Sequence, residues 1–179
     1  IGVDALVTDD KQQLQACDKI IFPGVGEAST AMAHLRATGL DRLIVSLRQP
    51  VLGICIGMQL LCDHSDEGDA DCLGIFDGLT VKRFDNAALS DNFKIPHMGW
   101  DTIKVERDNA LLPANLTDEY VYYVHSYYAP TSERYTIAST DYIVPFSAAL
   151  HKDNFYATQF HPEKSGLLGE TILRNFLEL

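Results

Sequence analysis

A cysteine set between two glycines and a histidine two residues ahead of a glutamate are the groups best placed to react. Cys55 lies in Gly53-Ile54-Cys55-Ile56-Gly57. The run before it, Pro50 to Ile54, is apolar throughout, the mark of a strand buried on both faces. Gly57 to Cys62 has a helical pattern. Strand, sharp turn and helix together describe a nucleophile elbow, in which the glycines stand where neighbouring backbone leaves no room for a Cβ. A thiol at a helix N-terminus is expected to have a lowered pKa. The N–H of Ile56 would point into the same space and could donate to an oxyanion. Cys17, Cys62 and Cys72 have no such setting and read as structural.

His161 and Glu163 flank Pro162, which biases His161 toward extended backbone. In an extended stretch residues i and i+2 face one side, so carboxylate and imidazole are placed to hydrogen-bond, as an orienting acid and a base should. Gln159 shares that alternation. The other histidines, at 34, 64, 97, 125 and 151, are not paired with an acid in this way. No second cluster of ligands supports a metal.

A third segment, Ile20 to Glu27, reads as a strand ending in the Gly24-Val25-Gly26 loop. Phosphate binding would need a following Gly-Lys-Ser/Thr, and the dinucleotide fingerprint fails because Ser29 occupies its last glycine position. A loop whose amides cradle an anionic oxygen fits better, with Gly24 and Val25 as the oxyanion element. The acidic stretch Asp63 to Asp71 puts Gly74 where a calcium loop needs Glu, so a solvated loop is expected.

These groups need a scaffold. Short strands are expected at Ala5–Val7, Lys19–Phe22 and Pro50–Ile54, and helices at Lys11–Cys17, Ser29–Thr38, Leu40–Arg48 and Gly57–Cys62. The second half has candidate strands at Thr80–Phe84, Thr102–Val105, Glu119–His125, Tyr135–Ala138 and Phe155–Phe160, then a helix from Glu170 to Leu177. Strands interleaved with helices indicate an α/β protein with a mixed, mostly parallel sheet. No linker or repeat divides residues 1–179, so one domain is expected.

The 179 residues are 46% hydrophobic and 22% charged, an ordinary globular composition. Net charge is -11, with no Lys/Arg cluster, which argues against nucleic acid. Four cysteines without a CxxC pair suit a reducing, cytoplasmic setting. No apolar run reaches the roughly 20 residues that span a bilayer, and a signal peptide is not expected before Ile1.

Taken in order, the oxyanion loop, the elbow and His161-Pro162-Glu163 resemble the class I, triad-type glutamine amidotransferases. Within that family the chain is most similar to the glutaminase subunits of imidazole glycerol phosphate synthase, of histidine biosynthesis. The matching segments are Phe22–Gly26, Leu52–Gln59, Pro96-His97-Met98-Gly99-Trp100, Tyr123–Tyr127 and Gln159–Gly166. The resemblance implies a flavodoxin-like, three-layer fold and a Cys55, His161, Glu163 triad acting on L-glutamine. It implies that Gln59, Ser126 and Tyr127 hold the substrate, with no cofactor. It implies a heterodimer with a (β/α)8-barrel cyclase, which uses the released ammonia to make imidazole glycerol phosphate and AICAR. Pro96, Met98, Trp100 and Tyr122 would lie at that interface, although Trp100 by itself reads as a core aromatic. The alternatives are a glutaminase serving another synthase and a non-catalytic subunit that keeps the fold. Family members begin with a further strand and helix, so about 25 residues are expected to precede this sequence, by typical element lengths.

Overall fold

The computed structural model of the protein describes residues 1–24, 26–88 and 93–179. Its helices are α1 (Lys11–Ala16), α2 (Ala28–Thr38), α3 (Leu40–Ser46), α4 (Ile56–Leu60) and α5 (Gly166–Glu178). Its strands are β1 (Ile20–Gly24), β2 (Val51–Cys55), β3 (Cys62–Ser65), β4 (Ala70–Asp71), β5 (Phe76–Arg83), β6 (His97–Thr102), β7 (Lys104–Val105), β8 (Tyr120–His125), β9 (Tyr127–Tyr128), β10 (Thr136–Asp141), β11 (Pro145–Lys152) and β12 (Phe155–Thr158). Among the described residues no helix is long and apolar enough to cross a membrane.

A six-stranded sheet in the order β1-β2-β12-β11-β10-β7 forms the centre. β2 pairs in parallel with β1 and β12, whereas β12, β11, β10 and β7 pair antiparallel in turn. The sheet is thus mixed, with its parallel part around the elbow strand. Every residue of β2 is buried, as its unbroken apolar run requires. A second sheet runs β4-β3-β5-β9, and β6 with β8 makes a separate ribbon. α2 buries Ala28, Met32 and Leu35, one face at helical spacing. It stops at Gly39, which turns left-handed at φ 69° and returns its N–H to Arg36 and Leu35. Asp10 caps α1 by accepting from the N–H of Gln13 at 2.9 Å.

Some expectations are corrected. Residues 1–10 form no strand, and Leu6 and Val7 of the expected Ala5–Val7 strand are 70% and 97% exposed. A strand needs a ladder partner, and among the described residues β1 pairs only with β2. The acidic stretch is not a plain loop. Its ends are β3 and β4, paired antiparallel, and β3 also lies parallel to β5. The strand expected at Thr102–Val105 is divided between β6 and β7. β11 was not expected at all, because Ser147-Ala148-Ala149 has weak strand propensity. Its burial between β10 and β12 overrides that preference.

Candidate active site

The elbow is crowded on all sides. A Cβ on Gly57 would stand 1.9 Å from the carbonyl oxygen of Phe22. One on Gly53 would stand 2.8 Å from Leu61 Cδ1 and 2.9 Å from the Gly57 carbonyl. Only glycine lets the helix fold back this closely on β1 and β2. Cys55 itself takes φ 54°, ψ −109°, a conformation that costs a non-glycine residue roughly 1–3 kcal/mol. The strain lifts Sγ out of the sheet and into a cavity of about 370 Å³.

The register of β1 against β2 sets Gly24 opposite Cys55. A Cβ on Gly24 would meet Ile56 Cβ at 2.8 Å and the amide nitrogen of Gly57 at 2.9 Å. The expected oxyanion residues Gly24 and Ile56 therefore touch, and both line the cavity with Cys55. The Ile56 N–H favours the ionised form of the Cys55 sulfur. Val25, the other expected donor, lies outside the described residues.

The thiol contradicts one expectation. Its pKa is not lowered but pushed up to about 11, chiefly by burial. The Ile56 N–H works against this, while the charges of Glu163 and Glu67 add to it. α4 is five residues long, and its short dipole does not offset desolvation. At neutral pH the resting group is a thiol and must hand its proton to a base.

An imidazole held by a carboxylate lines the same cavity. His161 Nδ1 meets Glu163 Oε1 at 2.6 Å. The residues do not meet along a continuous strand, as expected. His161 is extended at φ −98°, ψ 98°, and Pro162–Lys164 then turns as a 3-10 helix that swings Glu163 back. The His161 N–H donates to the Tyr122 carbonyl at 2.9 Å, and Ser165 Oγ donates to the His161 carbonyl at 2.7 Å. A carboxylate only accepts, so Nδ1 carries the ring proton and Nε2 a lone pair. His161 Nε2 is buried without a hydrogen-bond partner, and His161 lines the same cavity as Cys55. Cys55 Sγ lies 3.8 Å from Gln159 Nε2 and 4.0 Å from the Val124 carbonyl.

Gln59, Ser126 and Tyr127 also line the cavity. Gln59 Nε2 donates to the Tyr127 carbonyl at 2.9 Å and to Gln159 Oε1 at 3.0 Å. Both amide hydrogens are committed, which leaves Gln59 Oε1 buried and unpartnered. Glu67, His125 and Lys164 are among the lining residues to which sequence reasoning gave no role. Glu67 arrives through a contact 39 residues away, where Oε2 accepts from the Ala28 N–H at 2.9 Å. Burial pushes its carboxyl up. No local spacing signals this residue. Lys164 had only its adjacency to Glu163 to mark it.

The four expected interface residues gather elsewhere. Pro96, Met98 and Trp100 line a second, open cavity of about 520 Å³, and Pro96 also borders the first. Tyr122 meets Trp100 edge-on at 5.9 Å. Met98 and Trp100 are 61% and 55% exposed, so Trp100 is not a core aromatic. The reading of the other histidines is also corrected. His64 meets Asp69 and Asp71, and His97 meets Asp101, each at 3.2 Å.

The profile of the Glutamine amidotransferase class-I family matches residues 3–179. The chain is 63% identical over 179 residues to the imidazole glycerol phosphate synthase subunit HisH of Bacteroides fragilis, strain YCH46, covering 100% of this chain and 89% of that one. To the same subunit of Idiomarina loihiensis it is 45% identical, covering 100% and 87%. A solved glutamine amidotransferase superposes with a TM-score of 0.70 at 20% identity, over 99% of this chain and 86% of that one. A glutamine amidotransferase from Thermotoga maritima gives 0.56 at 19% identity, over 90% and 61%. At such identities the two structures speak for the fold, while the profile and the curated relatives speak for the family. The chain belongs to the class I glutamine amidotransferases, enzymes that take ammonia from glutamine.

Proposed function

We propose that residues 1–179 form the glutaminase unit of an imidazole glycerol phosphate synthase, with Cys55, His161 and Glu163 as its catalytic residues. His161 Nε2 takes the thiol proton as Cys55 Sγ attacks the side-chain carbonyl carbon of L-glutamine. The oxygen becomes an oxyanion beside the Ile56 N–H and the Gly24–Val25 segment. His161 returns the proton to the leaving nitrogen, the C–N bond breaks, and ammonia departs. Water, deprotonated by His161, then splits the glutamyl thioester to glutamate and restores the thiol. Glu163 holds the imidazole in the tautomer this sequence needs and supports the imidazolium between steps.

One observation carries the reading. The His161 ring has one nitrogen fixed by a carboxylate and the other buried without a partner beside a thiol. A buried nitrogen without a partner costs stability, and a proton relay explains why it is tolerated. Gln59 Oε1 and Glu67 offer acceptors for the substrate's ammonium group, and Ser126 and Tyr127 wall the remainder of the cavity. The exposed apolar face of Pro96, Met98, Trp100 and Tyr122 supports docking of a (β/α)8-barrel cyclase, giving a heterodimer that receives the ammonia. Four free cysteines suit the reducing cytoplasm. The test is ammonia release from glutamine by the complete chain with its purified cyclase and nucleotide ligand. Cys55→Ala is expected to abolish it, and full hydrolysis by that variant would overturn the reading.

A further inference from the structure

His97 and His125 face each other across the β6–β8 ladder and are both buried. His97 Nδ1 lies 3.2 Å from His125 Nε2, and His125 Nδ1 lies 2.8 Å from the Tyr127 carbonyl oxygen. A carbonyl only accepts, so His125 Nδ1–H donates to Tyr127. Burial lowers the His125 pKa to about 3 and keeps the ring neutral. Its Nε2 is then an acceptor, and His97 Nδ1–H must be the donor. Nothing in the triad uses either ring. Yet the Tyr127 carbonyl they hold is the one that Gln59 Nε2 grips, and Gln159 links Gln59 to within 3.8 Å of Cys55 Sγ. The line therefore starts beside the open Trp100 cavity, which His97 borders, and ends at the nucleophile.

We propose that His125 and His97 are positioning residues for glutamine: through the Tyr127 carbonyl they fix the orientation of Gln59 and thus the acceptor that meets the substrate. The carbonyl has two lone pairs, one taken by each of its two donors. If the His125 bond is lost, the Tyr127 carbonyl keeps only Gln59 and the β5–β9 ladder to fix its direction, so the anchor of Gln59 loosens and Oε1 holds one direction less firmly. The transition state's oxyanion is gripped elsewhere, by Ile56 and the Gly24 segment. The relay therefore acts on ground-state binding and shows in KM more than in kcat.

The inference rests on the glutaminase reading, and paired substitutions separate the two. An asparagine can place a donor where Nδ1 stood, and a glutamine can place its polar group where Nε2 stood. His125→Gln keeps the link to His97 but loses the donor to Tyr127. It is expected to raise KM for glutamine about tenfold, the scale of one buried hydrogen bond. His125→Asn keeps that donor but loses the link to His97, so it is expected to raise KM about threefold, as little as His97→Phe does. His97→Phe retains the stacking on Tyr142 (centroids 3.8 Å) and removes the donor to His125. It is expected to raise KM about threefold with kcat little changed. Steady-state kinetics of the complete chain with its cyclase, alongside melting temperatures, reads all three. Equal KM shifts in His125→Gln and His125→Asn, or an unchanged KM in His97→Phe, would overturn the inference, and His97→Phe keeps it testable should a His125 variant misfold. A wild-type chain that released no ammonia would instead sink the glutaminase reading.

Discussion

Two buried imidazoles, those of His161 and His97, each meet a carboxylate, and they differ in what their other ring nitrogen meets. His161 with Glu163 is short, at 2.6 Å, and its carboxylate is half exposed at 48%. Its second ring nitrogen is buried and unpartnered. His97 with Asp101 is longer, at 3.2 Å, and its second nitrogen is already bound to His125. Its ring is stacked on Tyr142 and Tyr123 as well. A carboxylate beside a histidine is therefore not what marks a base. The mark is a second nitrogen left free inside a cavity. On the proposed reading, the ring that is satisfied at every edge positions its neighbours, and the one that is not moves protons.

The sharpest way to break this comparison is to remove each ring in turn. His161→Ala is expected to lower kcat by about 10⁶-fold, the scale for losing the base of a triad. Its melting temperature should fall less than that of His97→Ala, because the lost Nε2 had no partner and the lost Nδ1 bond runs to a half-exposed carboxylate. His97→Ala should do the reverse, costing about 2–4 kcal/mol through lost stacking and a cavity, with kcat retained. Glutamine turnover and thermal melts on both variants check this, and a His97→Ala chain inactive at an unchanged melting temperature would erase the distinction. Next in size is Glu163→Gln. The amide no longer supports the imidazolium, and because Glu163 is half exposed, water takes over part of the role. A fall in kcat of about 10–100-fold is expected, below the roughly 10⁴ seen when such an acid is buried.

How much of this was legible beforehand follows from the range of the contacts. The elbow could be read because Gly53, Cys55 and Gly57 announce a tight turn within five residues. His161 and Glu163 could be read for the same reason, although a 3-10 turn rather than a strand brings them together. His97 and His125 could not, since only the β6–β8 register joins residues 28 apart. Glu67 looked like one acid in a solvated stretch until α2 met it. The direction of the Cys55 pKa was misjudged because a helix start is visible in sequence and burial is not. Ala5–Val7 looked like a strand because local pattern says what a segment could pair as, and not whether a partner is there.

The Cys55 pKa gives a smaller effect with a definite sign. The folded thiol titrates near 11 against an ordinary value of 9.0. A raised folded pKa adds stability that is fully present below pH 9 and is lost as pH rises through about 11. Resting Cys55 should therefore react slowly with iodoacetamide at pH 7, with a rate that climbs about tenfold per pH unit until the thiol has titrated. Mass spectrometry of the labelled residue follows this directly. A plateau reached by pH 8 would mean that His161 already holds the proton in the resting state, and the two histidine pairs would then differ less than their geometry implies.

The smallest effect is expected at Asp101, and its smallness is the point. Asp101 Oδ2 accepts from His97 Nε2, whose ring also donates through Nδ1 to His125. In Asp101→Asn the side-chain amide can turn its NH₂ toward Nε2. Nε2 can then accept there while Nδ1 still donates, so every contact of the ring is kept. Both kcat and KM should stay within about twofold of wild type, and stability should move by no more than about 1 kcal/mol. In Glu163→Gln the amide oxygen can still accept from Nδ1–H, but a neutral amide does not support the imidazolium that the proposed reaction forms at His161. If turnover and melting of Asp101→Asn showed a loss as large as that of Glu163→Gln, the carboxylate rather than the free nitrogen would be the feature that sets the pairs apart.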